Sequence, residues 1–390
     1  MTPGDATADG PVPGADLAHE RADAAAQATE APTIVPVALP RDPYPVVVGD
    51  ELIDVLSAVE LPASAATALV VTQPPVVAAG HVDPVESVLR DAGLRVVREV
   101  VADGERAKDP ATLAALWDVC ASVPLTRGDL VVAVGGGVVG DLAGFLAATW
   151  NRGVPVLQVP TTLLAQVDAA IGGKTGLNLP SGKNLVGAFH QPIAVAAGVA
   201  TLATLTPRLR TEGLGEVVKC GLIADPGILD VLEADADAVL AGDRELLQEL
   251  VVRSAQVKAA VVAADEREGG VRAHLNLGHT YGHAVETLTG YRDVLHGESV
   301  AIGTVVALRL GERLGLTPTD VADRGERLLA RLQLPTRGPR LDRRAVWGVM
   351  ARDKKATREG LRWVLLEGLA MPTVTVVDRT DVDAVLDDLA

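Results

Sequence analysis

The chain has 390 residues, of which 48% are hydrophobic and only 2% aromatic, and it carries a formal charge of -16. That length and apolar fraction suit two domains of ordinary size, with cores built from Ala, Val and Leu. The acidity argues against bulk attraction to nucleic acid or an anionic membrane. Two cysteines, Cys120 and Cys220, make no disulfide framework, and no uninterrupted apolar run is long enough for a transmembrane helix.

Residues 1–33 hold six acidic residues against the single basic Arg21, in a background of Ala, Pro and Gly. Such a composition cannot bury enough surface to offset its ordering entropy, so it predicts a disordered acidic tail. A short helix across "ADLAHERADAAAQA" is the alternative. No basic segment followed by an apolar one is present, so the tail does not read as a signal peptide, and the expected location is cytoplasmic. From Pro43 onward strands and helices alternate: "YPVVVG", then the helix "ELIDVLSAV", "TALVVTQ", a helix over 83–92, "LRVVREVV", a helix over 110–122, and "LVVAVGG". This alternation predicts a parallel sheet in an α/β domain over residues 34–195. Residues 196–390 turn helical, with helices expected over 207–223, 226–239, 243–265, 276–290, 296–314, 320–331 and 342–352. "LRWVLLEG" and "TVTVVD" close the chain as strands. The default site is a cleft between the two domains.

"VVAVGGGVVGDLAGFLA" reads as strand, glycine turn and helix. Gly135, Gly136, Gly137 and Gly140 suit a pyrophosphate approaching a helix N-terminus, although a plain βα turn gives the same pattern. "DGERAK" follows a strand, where an acid can bind ribose hydroxyls or simply face solvent. In "PTTLLAQVDAAIGGKTGLNLPSGKNLVGAFHQP", Lys174 and Lys183 stand beside glycines in apolar surroundings. That placement suits phosphate or carboxylate oxygens, with a solvated loop as the bland reading. Thr161 and Thr162 could bond a nucleotide or cap a helix.

"HLNLGHTYGHAVE" gathers three of the seven histidines. Glu216 and Lys219 share one helical face in "GEVVKCG", His279 and His283 share another, and His296 opens "HGESVAIG". One carboxylate and two or three imidazoles are ordinary zinc ligands. Spacing leaves the set open: the i, i+4 pair His279/His283 is one choice, and histidines satisfied in a helical core are another.

Taken in order, "DGERAK", "GGGVVGDLAGF", the lysine-glycine segment, "GLGEVVKCGLI", "LNLGHTYGHAVE", "HGESVAIG" and "RDKK" resemble the 3-dehydroquinate synthases of the sugar-phosphate cyclase superfamily. The resemblance covers roughly residues 40–375; Gln166 and Tyr281 depart from its usual pattern. It implies a Rossmann-like N-terminal domain, a mostly α-helical C-terminal domain and a homodimer. It implies zinc, with cobalt as a substitute, on Glu216, His279 and His296, leaving His283 to the substrate. It implies NAD against Asp103, Glu105 and Lys108, against Gly136, Gly137, Val138, Val139, Gly140 and Asp141, and against Thr161, Thr162, Lys174, Lys183, Thr201 and Thr204. The substrate side would use Arg152, Asp168, Lys174, Asn184, Lys219, Lys258, Arg272, Asn276, His283 and Lys354, with Lys355 as alternate. The implied substrate is a small sugar phosphate. The implied reaction is transient oxidation by NAD, phosphate elimination, re-reduction and aldol closure.

Overall fold

The Val-rich runs form a central sheet covered on both faces. The computed structural model describes residues 31–291, 293–351, 356–357 and 360–389. Its main sheet joins β1 (Thr33–Val37), β2 (Tyr44–Gly49), β3 (Thr67–Thr72), β4 (Arg95–Val100), β5 (Leu130–Gly135), β6 (Val156–Pro160) and β9 (Ala194–Gly198). Between β6 and β9 the chain makes a separate antiparallel hairpin, β7 (Lys174–Leu179) and β8 (Gly182–Phe189). The sheet order is β1-β2-β9-β6-β5-β3-β4, parallel throughout except for β1 against β2. β3, β5, β6 and β9 are buried along their whole length, which is why they read as unbroken apolar runs.

One face of the sheet packs Val70, Val132 and Leu157 against Leu52, Val55 and Leu89 of the helices Leu52–Ser57 and Val82–Asp91. The other face packs Leu69, Val131 and Val156 against Leu113, Leu142 and Leu146 of the helices Pro110–Ser122 and Gly137–Thr149. A third core begins at Val46, Val48, Val195 and Ala197 of β2 and β9 and continues into the C-terminal helices through Leu214, Val218, Val251 and Val305. Pro32–Ala390 therefore packs as one unit.

Several helix starts were legible because they carry their own caps. Asp109, Thr206 and Asp225 accept backbone N–H bonds from Thr112, Leu209 and Gly227, and each precedes a proline at the first helical position. The helices Pro207–Ile223, Pro226–Ala241, Arg244–Ala264, His296–Arg313, Thr319–Arg331 and Arg343–Met350 lie close to their expected bounds. Other segments differ. Thr33, placed at the end of the expected tail, begins β1, because Val35 and Val37 bury against the protein while pairing with β2. The helix expected over 276–290 starts at His279, because Gly278 takes a φ of +81° and the preceding turn Val271–Asn276 is a 3₁₀ helix. The lysine-glycine segment, read as loops, holds the β7–β8 hairpin. β11 (Gly360–Gly368) and β12 (Met371–Val377), after the short β10 (Ala356–Thr357), form the expected C-terminal strands. The helix Arg379–Asp388 follows them unannounced. Residues 1–30, Lys354 and Lys355 lie outside the described residues. Among the described residues no helix is long and apolar enough to cross a membrane.

Candidate active site

Three helices meet at Glu216, His279 and His296. Glu216 sits mid-helix in Pro207–Ile223, while His279 and His296 are the first residues of their helices. Glycines permit the approach. A Cβ on Gly297 would lie 1.8 Å from the Glu212 carbonyl oxygen, and one on Gly278 would lie 2.6 Å from the Val300 carbonyl oxygen. Backbone therefore meets backbone, and one donor atom from each of the three residues falls within 4.8 Å of the others.

The chemistry of these donors calls for a cation. His279 Nδ1 lies 3.1 Å from the Leu277 carbonyl oxygen, which can only accept, so Nδ1 donates and Nε2 carries the lone pair. His296 Nδ1 likewise donates to Glu286 Oε2 at 3.2 Å. Both Nε2 atoms then face Glu216 Oε1, at 3.5 Å and 3.4 Å. That oxygen is buried and accepts no hydrogen bond. Three acceptors converging in a buried site repel one another unless positive charge lies between them. A proton partly serves: burial would push His296 down, but the carboxylates of Glu216 and Glu286 beside it prevail and push it up to about 10. The residues fit a divalent cation, and His283 stands outside the converging set.

A buried charged chain adjoins this cluster. Lys219 Nζ pairs with Glu216 Oε2 and lies 4.0 Å from Asp168 Oδ1, and Lys258 pairs with Asp168 and donates to its carbonyl oxygen at 2.8 Å. Burial opposes every charge here. The two lysines nevertheless hold the Asp168 carboxyl well below the usual range, and Glu216 and Asp168 hold Lys219 above its own. Burial pushes Lys258 down against the pull of Asp168, with Lys219 adding to the fall. Two cations and two anions cancel, so a bound divalent cation would leave the site positive toward an anionic substrate.

His283 bridges to the neighbouring cavity of about 700 Å³, with its ring centroid 5.2 Å from that of His279. Lys174, Asn184, Asn276 and Asp141 also line this cavity. Lys174 Nζ pairs with Glu268 Oε2 at 2.6 Å, and Asn276 donates to Glu268 Oε1 at 2.7 Å. Arg272 is buried and spends its guanidinium on the carbonyl oxygens of Glu266 and Gly172.

The glycine turn lies at the sheet's switch point. β4 flanks β3 on one side and β5 on the other, so the chain reverses direction there, and open α/β sheets bind ligands in that crevice. Gln73, just past β3, donates to the Ala102 and Gly104 carbonyl oxygens at 2.8 and 3.2 Å, drawing the "DGERAK" turn to the crevice. The turn then meets the hairpin: Lys108 pairs with Asp141 and donates to Asn184 Oδ1 at 2.6 Å, while Glu105 lies 3.1 Å from Lys183 Nζ. A Cβ on Gly136 or Gly137 would crowd Thr162 or Ala169 at 3.2 or 3.1 Å, closing this cradle. The cradle and its lysines fit a dinucleotide phosphate.

Other expected residues sit elsewhere or act locally. Thr162 Oγ1 accepts from Ala165 N at 3.2 Å, as a helix cap does. Thr201 and Thr204 bond the Gly198 and Thr201 carbonyl oxygens, and Thr204 also meets His81 Nε2 at 2.8 Å. Val139 is buried in the core beside the glycine turn. Asp103 is exposed. Arg152 is exposed too, at a φ of +63°, and does not line the cavity. Sequence reasoning missed Glu286, whose only signal is its place on the same helical face as the histidines, three residues after His283 and seven after His279. It also missed Glu268, Arg267 and Arg362 of the cavity wall, for which no local pattern exists.

Models of the 3-dehydroquinate synthase N-terminal and C-terminal regions match residues 98–212 and 213–356. A 3-dehydroquinate synthase of Citrifermentans bemidjiense is 51% identical over 278 residues, covering 71% of this chain and 77% of that protein. Among solved structures, 2-deoxy-scyllo-inosose synthase complexed with carbaglucose-6-phosphate, NAD+ and Co2+ superposes with a TM-score of 0.83. It is 25% identical, with 92% of this chain and 100% of that one covered. A 2-epi-5-epi-valiolone synthase from Streptomyces hygroscopicus with NAD+ and Zn2+ bound superposes at 0.80. It is 26% identical, with 89% and 96% covered.

Proposed function

Because the chain belongs to the 3-dehydroquinate synthase family, we propose that it converts 3-deoxy-D-arabino-heptulosonate 7-phosphate to 3-dehydroquinate and phosphate. The reaction is an NAD- and divalent-metal-dependent carbon–oxygen lyase step of the shikimate pathway. One observation carries the reading: acceptor-only Glu216, His279 and His296 adjoin, through His283, a cavity that presents Lys174 and Asn184 to an anion. A simple dehydrogenase has little use for the phosphate-binding set.

Glu216, His279 and His296 hold the cation, and residues 34–195 hold NAD through the glycine turn, Glu105, Lys108, Asp141 and Lys183. When bound, Zn2+ or Co2+ supplies Lewis acidity and NAD supplies reversible hydride acceptance. Lys174, Asn184 and His283 bind the phosphate and orient it, so that one of its own oxygens can take a proton as it leaves. Glu268 holds Lys174 and Asn276 in the free protein, and an incoming anion takes its place. Asp168 stays ionised between two lysines. Lys258, pushed down by burial, is the member of that chain best able to release and regain a proton. The assembly is a cytoplasmic homodimer.

The test supplies substrate, substoichiometric NAD and Zn2+, and follows phosphate together with reduced-nicotinamide absorbance. Phosphate release without net NADH is expected. NADH rising in step with substrate loss, without phosphate, would make the protein a polyol dehydrogenase. Phosphate released only from glucose 6-phosphate would make it a sister cyclase.

A further inference from the structure

A second cavity, of about 290 Å³, lies behind the helix that carries His279 and His283. Tyr281 lines it from a position two residues from each histidine, hence on the opposite helical face. Ile302, Val306 and Leu386 give it an apolar floor, and Arg337, Arg340 and Arg343 edge it. Among the described residues no carboxylate side chain lines it, in a chain whose net charge is -16. Acids reach these arginines only from outside. Glu326 meets Arg337 at 2.6 Å, and Asp387 meets Arg343 Nη2 at 2.6 Å. Two donors remain. Arg343 Nη1 is buried without a hydrogen bond, with Asp383 Oδ1 at 3.7 Å. Arg340 is exposed and makes no ion pair among the described residues. Burial pushes the Tyr281 phenol up and Arg343 pulls it back, so the guanidinium field reaches the ring.

Guanidinium groups edging an apolar floor, with Arg340 exposed and outside any ion pair among the described residues and Arg343 Nη1 lacking a hydrogen bond, suit a planar anion with an apolar body. The volume is at the small end of ligand cavities. We propose that this cavity binds a small amphipathic carboxylate, its head against Arg340 and Arg343 and its body against Ile302, Val306 and Leu386. None of these residues belongs to the catalytic cavity.

The experiment titrates the full chain with 3-phenylpropionate by calorimetry, beside 3-phenylpropanol, which lacks the charge, and inorganic phosphate, which lacks the body. Two variants accompany the wild type. Arg340→Ala removes an exposed head-group contact. Gly338→Leu fills the mouth, where a Cβ meets Ile302 and Tyr281 at tolerable distances of 3.4 and 3.5 Å. Saturable binding of 3-phenylpropionate is expected, weakened about tenfold by Arg340→Ala and lost in Gly338→Leu, with phenylpropanol and phosphate much weaker. Absent binding overturns the proposal. So does phosphate binding as tightly as phenylpropionate, or binding that Arg340→Ala leaves unchanged. Should Gly338→Leu misfold, Arg340→Ala decides alone.

Discussion

Gly278→Ala tests whether helix contact builds the metal cluster. Gly278 sits at a φ of +81°, where an L side chain costs about 1–2 kcal/mol. Its new Cβ would also lie 2.6 Å from the Val300 carbonyl oxygen and 2.8 Å from Thr304 N. These are backbone atoms of the helix that begins at His296, and they cannot swing aside. Overpacking of that kind costs about 1–3 kcal/mol, for a total of about 2–5 kcal/mol. Gly315→Ala is the control: Gly315 follows the same helix at a φ of +69°, and a Cβ there would have nothing within 4 Å. It bears only the backbone cost. The gain from restricting the unfolded chain is common to both variants and cancels in the comparison. Urea titration read as midpoint and slope gives the two stabilities. The difference between the variants should be about 1–3 kcal/mol, the overlap alone. Zinc affinity should fall in Gly278→Ala and not in Gly315→Ala, because the overlap displaces the residue next to His279. Equal stabilities and equal zinc affinities would refute the claim that this backbone contact sets the cluster's geometry.

Glu216→Ala should lose zinc and turnover together, whereas His283→Ala should keep zinc and lose turnover; metal analysis of the two purified variants separates them. Glu286→Leu removes the carboxylate that accepts from His296 Nδ1 at 3.2 Å, and zinc affinity measured by chelator competition should fall roughly 10- to 100-fold. Asp129 accepts from Ala66 N, Thr67 N, Thr126 N and Thr126 Oγ1 at 2.7–2.9 Å. Asp129→Ala should therefore cost about 2–4 kcal/mol through unpaired buried donors. Burial opposes the Asp129 charge, but those bonds prevail and hold its carboxyl below the usual value. Its ionic contribution is thus complete above about pH 4, the unfolded value. It is lost as pH falls through the folded one, so the stability gap between wild type and variant should narrow in acid.

What the sequence by itself determined is local. Val-rich runs set β3 and β5, capping acids before prolines set the helix starts at Pro110 and Pro226, and ordered motifs set the family. These signals survive because each is written within a few residues, as a period, a cap or a turn. The hairpin was hidden because its glycines read as loop punctuation, although Thr175 and Leu177 bury one side of it. The metal set, which the family resemblance implied, was left open by spacing for another reason. Periodicity places His279 and His283 on one helical face, yet a ligand set depends on where donor atoms point in space. Tertiary structure decided that His279 and His296 converge on Glu216, through the backbone approach allowed at Gly278 and Gly297, and that Glu286 orients His296 from behind. It also decided that Lys219, Asp168 and Lys258 join Glu216 in one neutral buried chain. Their mutual charges and shared burial arise only when segments distant in sequence exclude water together.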